Sequence, residues 1–290
     1  MSNNKLPVIF IFDLDKTLIG DVTNILQYQH FWVFINDACK HSRLKGPVCK
    51  LPKSIWNKQM IPSQLFRPQL KESLQGIKKV FPTAEFFVFS LGTHDYVMSA
   101  IDYIEKCTGV KFNRPLFTRQ DSSISDTAHY LKEIKGYEDI IFKSLVRQYP
   151  KCKIDYFRNL VMNDRTIIID DTDVWNNDYR WIQCKPYSYT PVCEINSKIL
   201  DVVYENESIK TYITTNKETN ILPEVSGNID KFKMNYHIMM ANHYRTSLDN
   251  NLEQCKDDFF PKFLKTIKGR STKLKPFTRA YLEKIQKSFV

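Results

Sequence analysis

Cysteine is present without a pattern. The seven cysteines, Cys39, Cys49, Cys107, Cys152, Cys184, Cys193 and Cys255, are odd in number, and no two stand at metal-ligand spacing. That scatter argues against a zinc site and a disulfide framework and suits free thiols in a reducing compartment. The six histidines are equally dispersed, with no His-x-His or His-x-x-x-His pair. Long apolar runs are missing too. The first apolar run ends in charge at Asp13, too early to span a bilayer. Met1-Ser2-Asn3-Asn4-Lys5 leads straight into it without the layout of a secretory signal. The expectation is an intracellular, soluble protein with no membrane partner. Internal repeats and long low-complexity tracts are absent as well.

What the chain does have is core-forming material and positive charge. Apolar residues make up 42% and aromatics 13% of 290 residues, enough for one large domain or one domain with an appendage. The net charge of +10 points to an anionic partner, whether phosphoprotein, nucleic acid or membrane surface, or to solubility alone.

The pattern alternates strand and helix. Val8–Phe12 reads as a buried strand, being apolar throughout. Helices are predicted over 24–39, 69–80, 93–106 and 139–148, and further strands over 85–90, 165–170 and 181–186. Residues 41–62, rich in Lys, Pro and Ser, read as a long irregular connection, and 120–126 as turn-like. Repeated strand–helix units with reactive residues at strand C-termini predict an α/β fold with an open, mostly parallel, Rossmann-like sheet. Beyond about Pro191 the pattern changes. Residues 229–242 and 252–267 look helical, and Phe277, Tyr281, Ile285 and Phe289 form an amphipathic stripe. The domain reading is 1–190 with an insert at about 20–62, then a mainly helical, basic region over 191–290.

Chemistry concentrates where strands end. Strand one closes in Asp13-x-Asp15-x-Thr17, and the next in Ser90-Leu91-Gly92-Thr93. The third closes in Asp170-Asp171. Two carboxylates one residue apart repel and cost desolvation, which a divalent cation would offset. One carboxylate attacking phosphorus, a second trading the proton, and a hydroxyl and an ammonium on the phosphate oxygens make up an aspartyl-phosphate mechanism. The ammonium is expected from the helix around Lys143, with Lys151 and Lys153 as competitors.

These residues resemble the haloacid dehalogenase superfamily, and within it the FCP/SCP-like protein phosphatases that act on the carboxy-terminal domain of RNA polymerase II. The likeness rests on Asp13-Leu14-Asp15-Lys16-Thr17-Leu18, Arg67-Pro68-Gln69-Leu70-Lys71, Ser90-Leu91-Gly92-Thr93-His94-Asp95-Tyr96, Lys143-Ser144-Leu145 and Ile168-Ile169-Asp170-Asp171-Thr172-Asp173-Val174-Trp175. It runs from about residue 6 to 190. It implies a Mg2+-dependent phosphoserine/phosphothreonine protein phosphatase. Asp13 would be nucleophile and metal ligand. Asp15 would be general acid/base and lend its main-chain oxygen to the metal. Ser90 would bind phosphate. Lys143 stands as Lys-Ser-Leu where the family reads Lys-Asp-Leu. Asp170 and Asp171 would complete the metal site. Thr17, Gly92 and Arg119 join Ser90 on the substrate side. A nuclear rather than cytoplasmic setting goes with that group.

Two alternatives stand beside this reading: one keeps the chemistry and changes the substrate, the other is of a different class, an assembly or scaffold protein with a phosphatase core. The basic tail, from Lys262 to Lys287, would suit nucleic acid and a 3′-phosphatase. The core also resembles nucleocapsid-assembly proteins of large DNA viruses of insects. That implies a basic DNA-packaging protein as substrate and association with virions.

Overall fold

The computed structural model describes residues 6–22, 40, 56, 63–124, 130–175, 178–189, 253–270 and 273–289. The helices expected over 24–39 and 229–242 lie outside these residues, as does most of the 20–62 insert.

In chain order the described elements are β1 (Val8–Phe12), α1 (Leu70–Val80), β2 (Ala84–Val88), α2 (His94–Thr108), β3 (Ser123–Ile124), β4 (Tyr130–Leu131) and α3 (Glu138–Leu145). Next come α4 over residues 154–164, whose middle, Phe157–Val161, is π-wound, then β5 (Thr166–Asp170) and β6 (Trp181–Gln183). The chain closes with α5 (Phe259–Ile267) and α6 (Arg279–Gln286).

The main sheet has the order β2-β1-β5-β6 and is parallel throughout. This is the open α/β sheet that the alternating pattern predicts. Every residue of β1, β2 and β5 is buried, as expected of a parallel sheet covered on both faces. Along β1 successive side chains point to opposite faces. Ile9 and Ile11 join Phe87, Phe89, Ile141, Leu145, Phe157 and Ile168 on one side. Phe10 and Phe12 meet aromatics on the other.

What covers that aromatic side comes from beyond the expected division at residue 190. The ring centroid of Phe10 lies 6.5 Å from Phe263 and 5.7 Å from Phe277, and Phe12 lies 6.3 Å from Phe260. Residues Cys255–Val290 therefore belong to one compact unit with Met1–Gly20 and Phe66–Ser188. The physical reason is the uncovered face: burying each Phe side chain is worth roughly 1.5–3 kcal/mol, so α5 and the segment before α6 form a layer of the fold. In the middle of α1, Gly76 lets α5 approach. A Cβ there would lie 2.4 Å from Leu264 Cδ2.

The second compact unit comprises Asp21–Leu65 and Tyr189–Gln254. Its described part includes a short turn, Ser63–Leu65, and a bond from the Asp21 N–H to the Tyr189 carbonyl, 2.8 Å.

Other boundaries shift modestly. The helix expected over 139–148 runs Glu138–Leu145, and the strand expected over 181–186 stops at Gln183. The stretch 120–126, expected as a turn, contributes β3, which pairs antiparallel with β4. Within the described residues no helix is long and apolar enough to cross a membrane.

Candidate active site

With β1 between β2 and β5, three loops leave the sheet side by side at its C-terminal edge. Asp13 follows β1, and its N–H donates to the Ile169 carbonyl at 2.9 Å. Ser90 follows β2, and Asp170 ends β5. This is the edge where open parallel sheets gather ligands.

The ammonium at this edge comes from Lys132. Its Nζ lies 2.6 Å from Asp13 Oδ1 and 2.6 Å from Asp170 Oδ2, and the residue is 2% exposed. The Lys132 N–H donates to the Val174 carbonyl at 2.7 Å, which fixes the backbone just past β4. The rings of Phe89 and Trp175 flank the ammonium at 5.9 and 5.6 Å.

Lys143, the lysine expected here, is exposed on α3. Lys151 is exposed and Lys153 precedes the helix at 154, and neither is paired with Asp13 or Asp170 among the described contacts. A signal for Lys132 was present. Lys132-Glu133-Ile134 keeps the acidic middle residue of Lys-Asp-Leu, whereas Lys143-Ser144-Leu145 does not.

Asp13, Asp170 and Asp171 are buried, with carboxylate oxygens within 4.8 Å of one another. Asp170 is tightly held: Oδ2 also accepts from Trp175 Nε1 at 2.8 Å, and Oδ1 accepts from the Thr172 N–H at 2.9 Å. Burial pushes Asp13 well above the usual carboxylate range, Lys132 pulls it down, and the charges of Asp170 and Asp15 push it up again. Burial and Asp170 likewise raise Asp171, against bonds from Thr17 and Thr172. Lys132 sits above its ordinary value: burial would lower it, but Asp13 and Asp170 outweigh that. Three carboxylates thus face one ammonium. An all-oxygen donor set with surplus negative charge fits a hard divalent cation.

Asp15 occupies a different environment. It is half-buried, and the Tyr96 hydroxyl donates a hydrogen bond to its Oδ1. Between the two carboxylates and Thr17, Lys16 adopts φ 60°, a left-handed turn unusual for a residue with a Cβ.

Of the residues expected on the substrate side, Thr17 and Gly92 make bonds within the protein. Thr17 is fully buried. Its hydroxyl donates to Asp171 Oδ1 at 3.1 Å and accepts from the Asp171 N–H at 3.1 Å, so it ties the β1 loop to the β5 loop. Gly92 donates its N–H to Ser90 Oγ at 3.1 Å, and its carbonyl accepts from the Arg119 N–H at 3.1 Å. A Cβ on Gly92 would come within 2.6 Å of the Tyr96 ring, so this glycine makes room for the tyrosine that holds Asp15. Ser90 is buried just past the end of β2. Arg119 is exposed, with Nε bonded to the Leu91 carbonyl at 2.7 Å and its guanidinium 5.5 Å from the Tyr130 ring centre.

Fold and site together define a parallel α/β protein with an acidic centre at the strand C-termini. The family profile NLI interacting factor-like phosphatase matches residues 8–196, and the chain belongs to that family. The match takes in β1 through β6 and every residue of the acidic centre. No curated protein matches the chain. Among solved structures it is similar to that of Fcp1, an essential RNA polymerase II CTD phosphatase. Identity is 20%, coverage is 92% of this chain and 63% of that one, and the TM-score is 0.40. A variant of fission yeast Fcp1 bound to beryllium fluoride gives 17% identity, 91% and 71% coverage and a TM-score of 0.33. The chain thus spans less than two thirds of the first of these two proteins.

Proposed function

We propose that this protein hydrolyses phosphomonoesters through an aspartyl-phosphate on Asp13, with phosphoserine or phosphothreonine in a protein as substrate. The observation that carries the reading is the different surroundings of two carboxylates two residues apart. Asp13 is buried against Lys132, whereas Asp15 is half-buried against Tyr96. Carboxylates in contrasting environments take separate roles in acid/base chemistry.

In the first half-reaction a carboxylate oxygen of Asp13 forms a bond to phosphorus. The bond from phosphorus to the ester oxygen breaks, and Asp15 gives its proton to the leaving alkoxide. In the second half-reaction Asp15 takes a proton from water as the water oxygen bonds to phosphorus. The bond to Asp13 then breaks and releases inorganic phosphate. Lys132 and Ser90 hold the non-bridging oxygens, and Lys132 also keeps Asp13 from being stranded among like charges. Asp13, Asp170, Asp171 and the Asp15 main-chain oxygen would hold Mg2+. A bound Mg2+ supplies positive charge that offsets the anionic phosphate and the crowded carboxylates. We assign Arg119, exposed near Ser90's loop, to the phosphopeptide.

Family membership and the paired environments of Asp13 and Asp15 both support this reading. The test is hydrolysis of p-nitrophenyl phosphate with Mg2+ by the wild type and by Asp13→Asn. Turnover should be abolished by the substitution, and turnover that survives it rejects the mechanism. A phosphopeptide and a 3′-phosphorylated oligonucleotide then compete side by side. Preference for the oligonucleotide rejects the protein substrate.

A further inference from the structure

The family match ends at residue 196, yet the last segment of the chain reaches two of the loops that carry the acidic centre. The first connection runs through Arg67, whose side chain is fully buried. Its Nε and Nη2 donate to Asp257 Oδ1 and Oδ2 at 2.8 and 2.7 Å, a parallel two-bond pair. The Phe259 ring lies 4.9 Å from the guanidinium. On its other side Nη1 donates to the main-chain oxygens of Thr17 and Lys16 at 3.4 and 3.5 Å, and the Arg67 N–H donates to the Leu18 carbonyl at 3.0 Å. Three successive carbonyls of the β1 loop therefore accept from Arg67, that of Lys16 also from the Tyr187 N–H at 2.7 Å. This is the loop in which Lys16 is held at φ 60° between Asp15 and Thr17.

The second connection runs through the sheet edge. Gln286, the last residue of α6, accepts the Gln183 N–H on its Oε1 at 2.7 Å. Gln183 Nε2 in turn donates to the Asp171 carbonyl at 3.2 Å.

We infer that Asp257 and Gln286 are positioning residues of the active centre: Asp257 acts through Arg67 on the Asp13–Thr17 loop, and Gln286 acts through Gln183 on Asp171. A buried guanidinium without its carboxylate must find another partner or admit water. Either outcome draws it from the carbonyls of Lys16 and Thr17, and the left-handed turn at Lys16 then relaxes toward conformations that move both carboxylates. Residues 255–290 thus complete the site instead of only steering it to a target. The catalytic part of this inference rests on the phosphatase reading above.

The test uses the full chain as wild type, Asp257→Asn, Asp257→Glu and Gln286→Ala, with melting temperature, hydrogen exchange and kinetics on each. Asp257→Asn should accelerate exchange at the Leu18 and Ile19 amides, which bond to the Leu14 carbonyl, and leave the amides of β1 and β2 unchanged. It should lower kcat by roughly 10- to 100-fold with KM little changed, the size usual for partners that orient ligating groups. Asp257→Glu should recover part of the loss. Gln286→Ala should loosen the Asp171 and Thr172 amides in the same selective way, which keeps the idea testable where Asp257→Asn folds poorly. Exchange that quickens uniformly in step with a lower melting temperature, or loops and kcat that stay unchanged, overturns the inference. A wild type inactive on every phosphomonoester overturns the phosphatase reading instead, and the exchange arm still decides whether Asp257 and Gln286 hold the loops.

Discussion

The Lys132 ammonium bridges Asp13 and Asp170, 2.6 Å from an oxygen of each, in a setting closed to solvent. Removing one member of a buried ion pair strands the others, at a cost of about 3–5 kcal/mol. Lys132→Ala should therefore lower stability by about that amount in chemical denaturation. It should also cut turnover by about 10²–10³-fold, the usual loss when one donor to developing phosphate charge is removed. Lys143→Ala, on the exposed face of α3, should stay within about 0.5 kcal/mol of wild type with unchanged turnover. The reverse ranking would return the catalytic role to Lys143.

The surplus of carboxylates should make stability depend on Mg2+ and on pH together. Asp13 and Asp171 have folded-state pKa values raised above their unfolded ones, chiefly by burial. A raised group contributes stability that is present below its unfolded value and is lost as pH rises through its folded value. Without Mg2+ this contribution should therefore shrink from acid toward neutral pH. Mg2+ requires the ionised carboxylates, so the gain in melting temperature on adding it should grow over the same interval. At 100 times its dissociation constant the gain corresponds to about 2.7 kcal/mol. Melts with Mg2+ and with EDTA between pH 5 and pH 8 check this, and a gain independent of pH would contradict it.

What the sequence disclosed, it disclosed locally. Strand β1 and its Asp-x-Asp ending lie within eight consecutive residues, so an apolar run and a charge break suffice to read them. Lys132 lies 119 positions from Asp13 and 38 from Asp170. Its burial comes from Phe89, Trp175 and Val174, and no window around Lys132 contains them. Apart from the acidic Glu133 that follows it, nothing local sets Lys132 apart from the lysines at 135, 143, 151 and 153. The last segment was hidden for a related reason. The stripe of Phe277, Tyr281 and Ile285 announces a buried face without saying what it covers. That Phe277 covers Phe10 follows only once β1 is known to be central in the sheet. Thr17 is ambiguous in sequence for another reason, because a hydroxyl two residues from an acid can face a ligand or staple two loops. Its 3.1 Å bonds to Asp171 lie between residues 154 positions apart, beyond the reach of any local pattern.

Gly92 and Tyr96 offer a prediction about placement. The Tyr96 ring would lie 2.6 Å from a Cβ on Gly92, so Gly92→Ala must displace the ring that holds Asp15. Misplacing a reacting group by about 1 Å can cost on the order of 10²-fold in rate. The loss in Gly92→Ala should appear in kcat and not in KM, since the shift falls on Asp15, the group proposed to trade the proton. Tyr96→Phe removes the same bond without the clash and should show a similar defect. Because both changes act on one contact, the double variant should be little worse than either single one. Additive losses would place the effect of Gly92 elsewhere.

Cys184 tests the interior of the β1 loop without reference to turnover. Its sulfur accepts from Arg67 Nη1 at 3.1 Å and lies 3.7 Å from the Thr17 hydroxyl. Burial pushes the thiol up to about 12, and the opposing pull of Arg67 does not reverse this. The thiolate is the reactive form, so at pH 8 native Cys184 should resist maleimide while exposed Cys255 is labelled. The sign of the accompanying stability term follows from the same shift. The thiol's contribution is intact below the unfolded value near 9 and is lost as pH climbs toward 12. Labelling of Cys184 should therefore rise steeply above pH 9, alongside unfolding measured by circular dichroism. Cys184 reacting as fast as Cys255 in the folded protein at pH 8 would mean that the contacts joining Arg67, Thr17 and Asp257 are open to solvent. The loop that carries Asp13 and Asp15 would then need another source of rigidity.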